Sequence, residues 1–290
     1  MMRKIFIIFL ILIYPRLTFA ERSIQAPFRE TFDQNNYSDL VWLSEGNGAT
    51  FTHLNSGCWS GGCAKFTPPT GVTNSGVNGA MAGLGHFTGL NLSRINIRLL
   101  MKIGPTYYST ARNSGGGIGN KFIDVHSASW SRLGILGFHP YHTQDDPPDT
   151  QYYTFGTMVV PSTAYYYTSQ GGGRSEAAFH IADGIGDYAG QWFALEYEIN
   201  NATNTTKCYL WTQDGQFNGE YISYPSAIPE NANYFYVGGY YNNIHLADPD
   251  SYMVIDDLMV SDGYIGPPSG FIGGGSDTTP PTNPTGLSVF

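Results

Sequence analysis

The chain has 290 residues and a formal net charge of −9, with 41% hydrophobic, 15% aromatic and only 13% charged residues. That is too apolar and aromatic for a disordered protein, and too poor in Glu, Lys and Arg for long solvent-exposed helices. With 36 Gly, 17 Pro and 21 Tyr it favours short strands and many turns, an all-β protein.

Residues 1–20, MMRKIFIIFLILIYPRLTFA, read as a secretory signal peptide. Arg3 and Lys4 make a basic start, Ile5 to Tyr14 an apolar run, and Thr18-Phe19-Ala20 a small-residue cleavage site. The run is shorter than the ~20 apolar residues of a spanning helix, and Pro15 and Arg16 break it. A secreted chain is therefore expected, with no membrane insertion of the mature part. Cleavage removes basic residues and no acid, leaving a still more acidic chain that lacks a basic run or a Cys/His finger pattern. Nucleic acid is excluded as a natural partner on that ground.

Strand signals follow from Glu21 to Pro267, expected as one sandwich domain over 21–267. Cys58 and Cys63 close the loop CWSGGC, whose glycines let the two Cβ atoms meet in a local disulfide, while Cys208 reads as a buried thiol. In RINIRLLMKI, Ile95, Ile97, Leu99, Met101 and Ile103 share one face and Arg94, Asn96, Arg98 and Lys102 the other; Leu100 breaks the pattern. NKFIDVH, from Asn120, puts Phe122, Asp124 and His126 on one face. WFALEYEI alternates Phe193, Leu195, Tyr197 and Ile199 with Ala194, Glu196 and Glu198, and pairs as a hairpin with KCYLWTQDG. The basic strip and the two glutamates are expected on solvated outer faces. YFYVGGYY and YMVIDDLMVS supply the last strands, and 268–290 turns into a Gly/Pro-rich linker.

The sequence of elements FRETFD, YSDLVWL, QWFALEYEI, WTQDG and MVIDDLMVSDGYIGP resembles the concanavalin A-like, laminin-G-type jelly roll. That resemblance implies a two-sheet antiparallel β-sandwich, a fold that hosts lectins, hydrolases, lyases and adhesion modules alike. The final DTTPPTNPTGLSVF resembles the opening of a fibronectin type III module, which implies a monomer within a modular protein. Segment 234–242 is similar to the Tyr-Phe-Lys-Ala-Gly-x-Tyr-x-Gln motif of jelly-roll alginate lyases, with Tyr236 in place of Lys and Asn242 in place of Gln. Asp124-Val125-His126 echoes their Gln-Ile-His, and Arg174-Ser175-Glu176 their Arg motif, though Arg174 follows His126 instead of preceding it. The Glu-x-Asp-x-x-Glu of laminarinase-type hydrolases is lacking, since Tyr197 stands between Glu196 and Glu198.

Polysaccharide binding without turnover is the leading expectation, because sugars need aromatic rings for their C–H faces and neighbouring amides, carboxylates or cations for their hydroxyls. Asn120, Lys121, Asp124, Trp130, Tyr236, Tyr241 and Asn242 are the candidate contacts. β-Elimination on a uronic-acid polymer stands second, with His126 as base, Tyr240 as acid and Arg174 neutralising the substrate carboxylate. A non-catalytic adhesion module is third. Glu30, Asp33 and Asp257, near the chain's two ends, are candidate ligands for a structural Ca²⁺.

Overall fold

A computed structural model describes residues 22–34, 41–43, 50–67, 78–105, 120–129, 131–141, 152–158, 178–180, 190–215, 219–223, 230–242, 250 and 252–271. The expected leader and the fibronectin-like segment lie outside them. All described regular structure is strand: β1 Arg22–Ser23, β2 Phe28–Glu30, β3 Val41–Leu43, β4 Thr50–Leu54, β5 Cys63–Thr67, β6 Asn78–Thr88, β7 Arg94–Ile103 and β8 Asn120–His126. The chain continues through β9 Arg132–Tyr141, β10 Tyr152–Met158, β11 Ala178–His180, β12 Trp192–Asn200, β13 Thr205–Thr212, β14 Gly219–Ser223, β15 Tyr234–Asn242 and β16 Met253–Ser261.

These strands form an all-β, jelly-roll sandwich of two sheets. Sheet A runs β1-β6-β15-β8-β9-β10-β11 with β3 also on β6, and sheet B runs β14-β13-β12-β7-β16-β5-β4 with β2 also on β16. The pairings are antiparallel except β1 with β6. The chain crosses between sheets from β5 to β6, β6 to β7 and β7 to β8, so the central strands β6, β7, β15 and β16 find their neighbours far away in sequence, while β4–β5, β8 to β11 and β12 to β14 pair with consecutive strands. One local hairpin is the expected β12–β13 pair, turned by Asn204 at φ 51.

Alternation decides the core. Ile95, Ile97, Leu99, Met101 and Ile103 of β7 and Phe193, Leu195, Tyr197 and Ile199 of β12 meet Ile123 and Val125 of β8 and Phe235 and Val237 of β15 in one cluster between the sheets. Each such side chain contributes about 1.5–3 kcal/mol by leaving water. The core is tight enough that a Cβ on Gly134 would meet the Tyr197 hydroxyl at 2.3 Å.

The outer face of sheet B corrects the expectation of solvated charges. Asn96 and Glu196 are fully buried, Glu198 nearly so, and Arg98 is only 6% exposed. Segment 262–271 lies across them: the amides of Ile265 and Gly266 donate to Glu196 at 2.9 and 2.8 Å, and Arg98 donates to the Gly266 carbonyl at 3.2 Å. Under this strap Asn96 donates to Glu196 at 2.6 Å, and Arg94 pairs with Glu198 at 2.8 Å. Leu100, the exception in the β7 pattern, packs with Ala194, Tyr209, Trp211 and Phe271. Phe271 is buried at 8% exposure and lies 5.0 Å from Trp59, so ordered packing continues past the Pro267 boundary that composition suggests.

Candidate functional site

The Ile-Asp-Asp of β16 owes its geometry to a bulge. The register with β7 shifts between Asp256 and Met259, and Asp257 takes a left-handed φ of 46. The extra residue turns both carboxylates away from the core. Asp256 accepts from the amides of Trp59 and Ser60 at 3.0 Å each, which anchors the loop closed by the Cys58–Cys63 disulfide, whose Cα atoms are 5.4 Å apart. Asp257 meets Arg98 at 2.6 Å and Arg29 at 2.5 Å. Burial pushes the Asp256 carboxyl up to about 6 and the Glu196 carboxyl up to about 7, against the hydrogen bonds both accept. Burial also lowers Arg98, opposed by the charge of Asp257.

These contacts bear on the calcium candidates. Asp257 is engaged by two guanidiniums, Asp33 accepts from the Gly62 amide at 3.2 Å, and Glu30 accepts from the Phe32 amide at 3.1 Å. A carboxylate already neutralised by two arginines is a poor ligand for a hard cation. Among the described residues no three His, Cys, Asp or Glu side chains converge as a metal group.

The remaining candidates gather on the two central strands of sheet A, β8 and β15. Phe235 lies opposite Val125 and Val237 opposite Ile123 as core pairs, so the alternate pairs, Tyr234 with His126 and Tyr236 with Asp124, belong to the outer face. Asp124 is fully buried there. Its Oδ1 lies 3.0 Å from His126 Nε2, and its Oδ2 accepts from the Tyr236 hydroxyl at 3.2 Å. An acceptor-only carboxylate calls for Nε2–H, which makes Nδ1 the acceptor of the neutral ring. His126 keeps 15% of its side chain exposed, and Tyr234 beside it is half-buried.

Just beyond His126 the β8–β9 turn extends this polar edge. The hydroxyls of Ser127, Ser129 and Ser131 form a chain with links of 2.9 and 3.0 Å, and Ser129 donates to both oxygens of Glu230 at 3.0 and 2.7 Å. Hydrogen bonds from Ser127 and Ser129 hold the Glu230 carboxyl below its ordinary range. Nearby, Asn201 donates to Asn231 at 2.7 Å, and Asn231 to Asn91 at 3.1 Å.

Other predicted site residues are placed by register alone. Tyr240 pairs with Lys121 and Tyr241 with Asn120, while Asn242 pairs with Asn78 of β6. Tyr240 is thus opposite a residue five positions from His126 along β8, about 17 Å at ~3.4 Å per residue, so the backbone does not bring the two together as acid and base at one bond. Trp130 and Arg174 lie outside the described residues. Tyr234 and Glu230 join the site without having been singled out. Their signal is the register of strands more than a hundred residues apart, which local patterns do not carry.

No family model matches this chain, and no curated protein does. Solved structures do. The chain is similar to the CBM2 module of Lactobacillus casei BL23 phage J-1 evolved Dit, at 11% identity and a TM-score of 0.49 over 80% of this chain and 93% of that one. It is similar to arcelin-5, a lectin-like defense protein from Phaseolus vulgaris, at 12% identity and 0.43 over 80% and 96%. The alginate lyase from Klebsiella pneumoniae matches at 14% identity and 0.35 over 60% and 61%. Likenesses this distant describe sandwiches in general and say nothing of this chain's ligand.

Proposed function

We propose that the chain is a secreted module that binds an extracellular polysaccharide along the outer face of sheet A, at the β8/β15 pair. The observation that carries this is the buried Asp124 carboxylate between His126 and Tyr236. A charge buried at the centre of a sheet costs stability, and hydrophobic packing would fill the position at less cost. Held where it is, and buried together with Tyr236, Asp124 fixes the imidazole of His126 from beneath, with Tyr234 offering a ring and Glu230 and the serines lining the edge. That is the combination a sugar ring asks for.

Electrophoresis through gels containing neutral and acidic glycans tests it. The wild-type chain is expected to be retarded by at least one glycan, and Tyr234→Ala and Asp124→Asn to weaken that retardation about tenfold. A chain that passes every gel unretarded sinks the proposal and leaves the adhesion module. β-Elimination is the second reading, favoured by the Asp124–His126 contact, which orients an imidazole as a base. A rise in ultraviolet absorbance at the unsaturated-uronate band with any of alginate, glucuronan, pectin or glycosaminoglycans, abolished by His126→Ala, would establish it; a flat trace with all of them removes it.

A further inference from the structure

The outer face of sheet B carries cations of two kinds. Its arginines are paired: Arg94 with Glu198, and Arg98 and Arg29 with Asp257. Its rim has two lysines that are not. Register places Trp192, Lys102, Val254 and Lys65 side by side across β12, β7, β16 and β5. Lys102 Nζ stands 4.8 Å from the Trp192 ring centre and donates to the Gly57 carbonyl at 2.6 Å. Lys65 Nζ stands 4.3 Å from the Tyr252 ring centre. Among the described residues neither ammonium meets a carboxylate.

This arrangement is unfavourable on its own. Burial lowers the affinity of Lys102 for its proton and the neighbouring charge of Lys65 lowers it further, in a chain whose acids outnumber its bases. The aromatic rings hold both flexible side chains in place, so two positive charges stand fixed rather than sweeping through solvent. β7 and β5 both flank β16, which sets their backbones about 10 Å apart, twice the ~4.8 Å strand spacing. Two fixed ammoniums on strands that flank a common neighbour suit a polymer with repeated anionic groups, one for each charge.

We propose that Lys65 and Lys102 form a second glycan site, for a polysaccharide bearing carboxylate or sulfate groups, with each ammonium meeting one anionic group beside Trp192 and Tyr252. The site lies on the opposite sheet from β8 and β15 and does not rest on the reading of that pair.

Gels containing polygalacturonate, dextran sulfate or neutral dextran, run at low and high salt, test it on the full chain. Retardation by a charged polymer is expected at low salt and is expected to fade at high salt. The double variant Lys65→Gln, Lys102→Gln should lose at least tenfold in affinity for that polymer. The double variant Lys65→Arg, Lys102→Arg should keep most of it, which separates lost charge from lost folding. Retardation by polygalacturonate alone would assign carboxylates, and by dextran sulfate alone, sulfates. No retardation of the wild type by either charged polymer, or a Gln double variant retarded like the wild type, overturns the site. Loss in both double variants overturns the role of charge. A wild type retarded by charged polymers only, through these lysines, would leave this site standing while the β8/β15 proposal failed.

Discussion

The two outer faces of the sandwich start from the same alternation of polar and apolar residues and end differently. On sheet B the charges answer one another across neighbouring strands, Arg94 to Glu198 and Arg98 to Asp257, and the strap of 262–271 closes over them. On sheet A a single buried carboxylate holds an imidazole and a phenol, and half-buried Tyr234 flanks them. A polar stripe thus becomes structural where it has partners of opposite charge and a backbone to cover it. It becomes a candidate site where its groups are oriented by one acid.

That contrast can be broken most forcefully from sheet B. Asp257→Ala leaves Arg98 buried without its main counter-charge and should cost about 3 kcal/mol or more in chemical denaturation, the scale for breaking a buried pair. The isosteric Asp124→Asn keeps the shape but turns one accepting oxygen into a donor facing His126 or Tyr236, and should cost about 1–3 kcal/mol, the scale for a buried polar group left unsatisfied, while impairing glycan retardation. Equal losses for the two would erase the distinction between the faces.

A smaller effect should follow from Phe271→Ala, which removes the ring that seals the strap against Trp59. Its burial suggests a cost of about 2 kcal/mol, below the 3–5 kcal/mol of a fully enclosed Phe, and glycan binding on sheet A should be unaffected.

Acidification sharpens the contrast further. Glu196, pushed up to about 7, and Asp256, pushed up to about 6, both bind protons more tightly folded than unfolded. The folded state is then favoured at low pH, and that advantage is lost as pH rises from about 4 through 7. The melting temperature should climb as pH falls from 7.5 to about 5.5. Glu196→Gln should flatten the climb; an unchanged slope would mean that another group controls it. The smallest effect is expected at Cys208, buried at 2% exposure with its thiol pushed up by burial, which should resist alkylating reagents until the chain unfolds.

Much of the architecture is legible in local pattern. The alternation in β7 and β12 gives their core faces, and the Gly-containing loop gives the disulfide. Leu100 looked like a flaw because its partner Phe271 comes from a segment whose Gly and Pro content reads as a tether. The burial of Glu196 was illegible for the same reason: the strap recognises it through backbone amides, which every residue but proline carries. On sheet A the candidate residues Asp124, His126 and Tyr236 were readable as chemistry, but their assembly depends on pairing β8 with β15 across 112 positions. The same long-range register, unreadable locally, sets Tyr240 away from His126.

The strap also divides its demands between main chain and side chains. Ile265 serves Glu196 through its main chain, so its side chain is replaceable, whereas Gly266 sits at φ 83 and resists a Cβ. What the contact cannot absorb is a change of length. Deleting one residue between Ser261 and Ile265 would carry both amides off the carboxylate together and draw Phe271 out of its seat. The stretch of this domain that composition marks as filler is therefore constrained in length as well as at Tyr264, Gly266, Gly270 and Phe271.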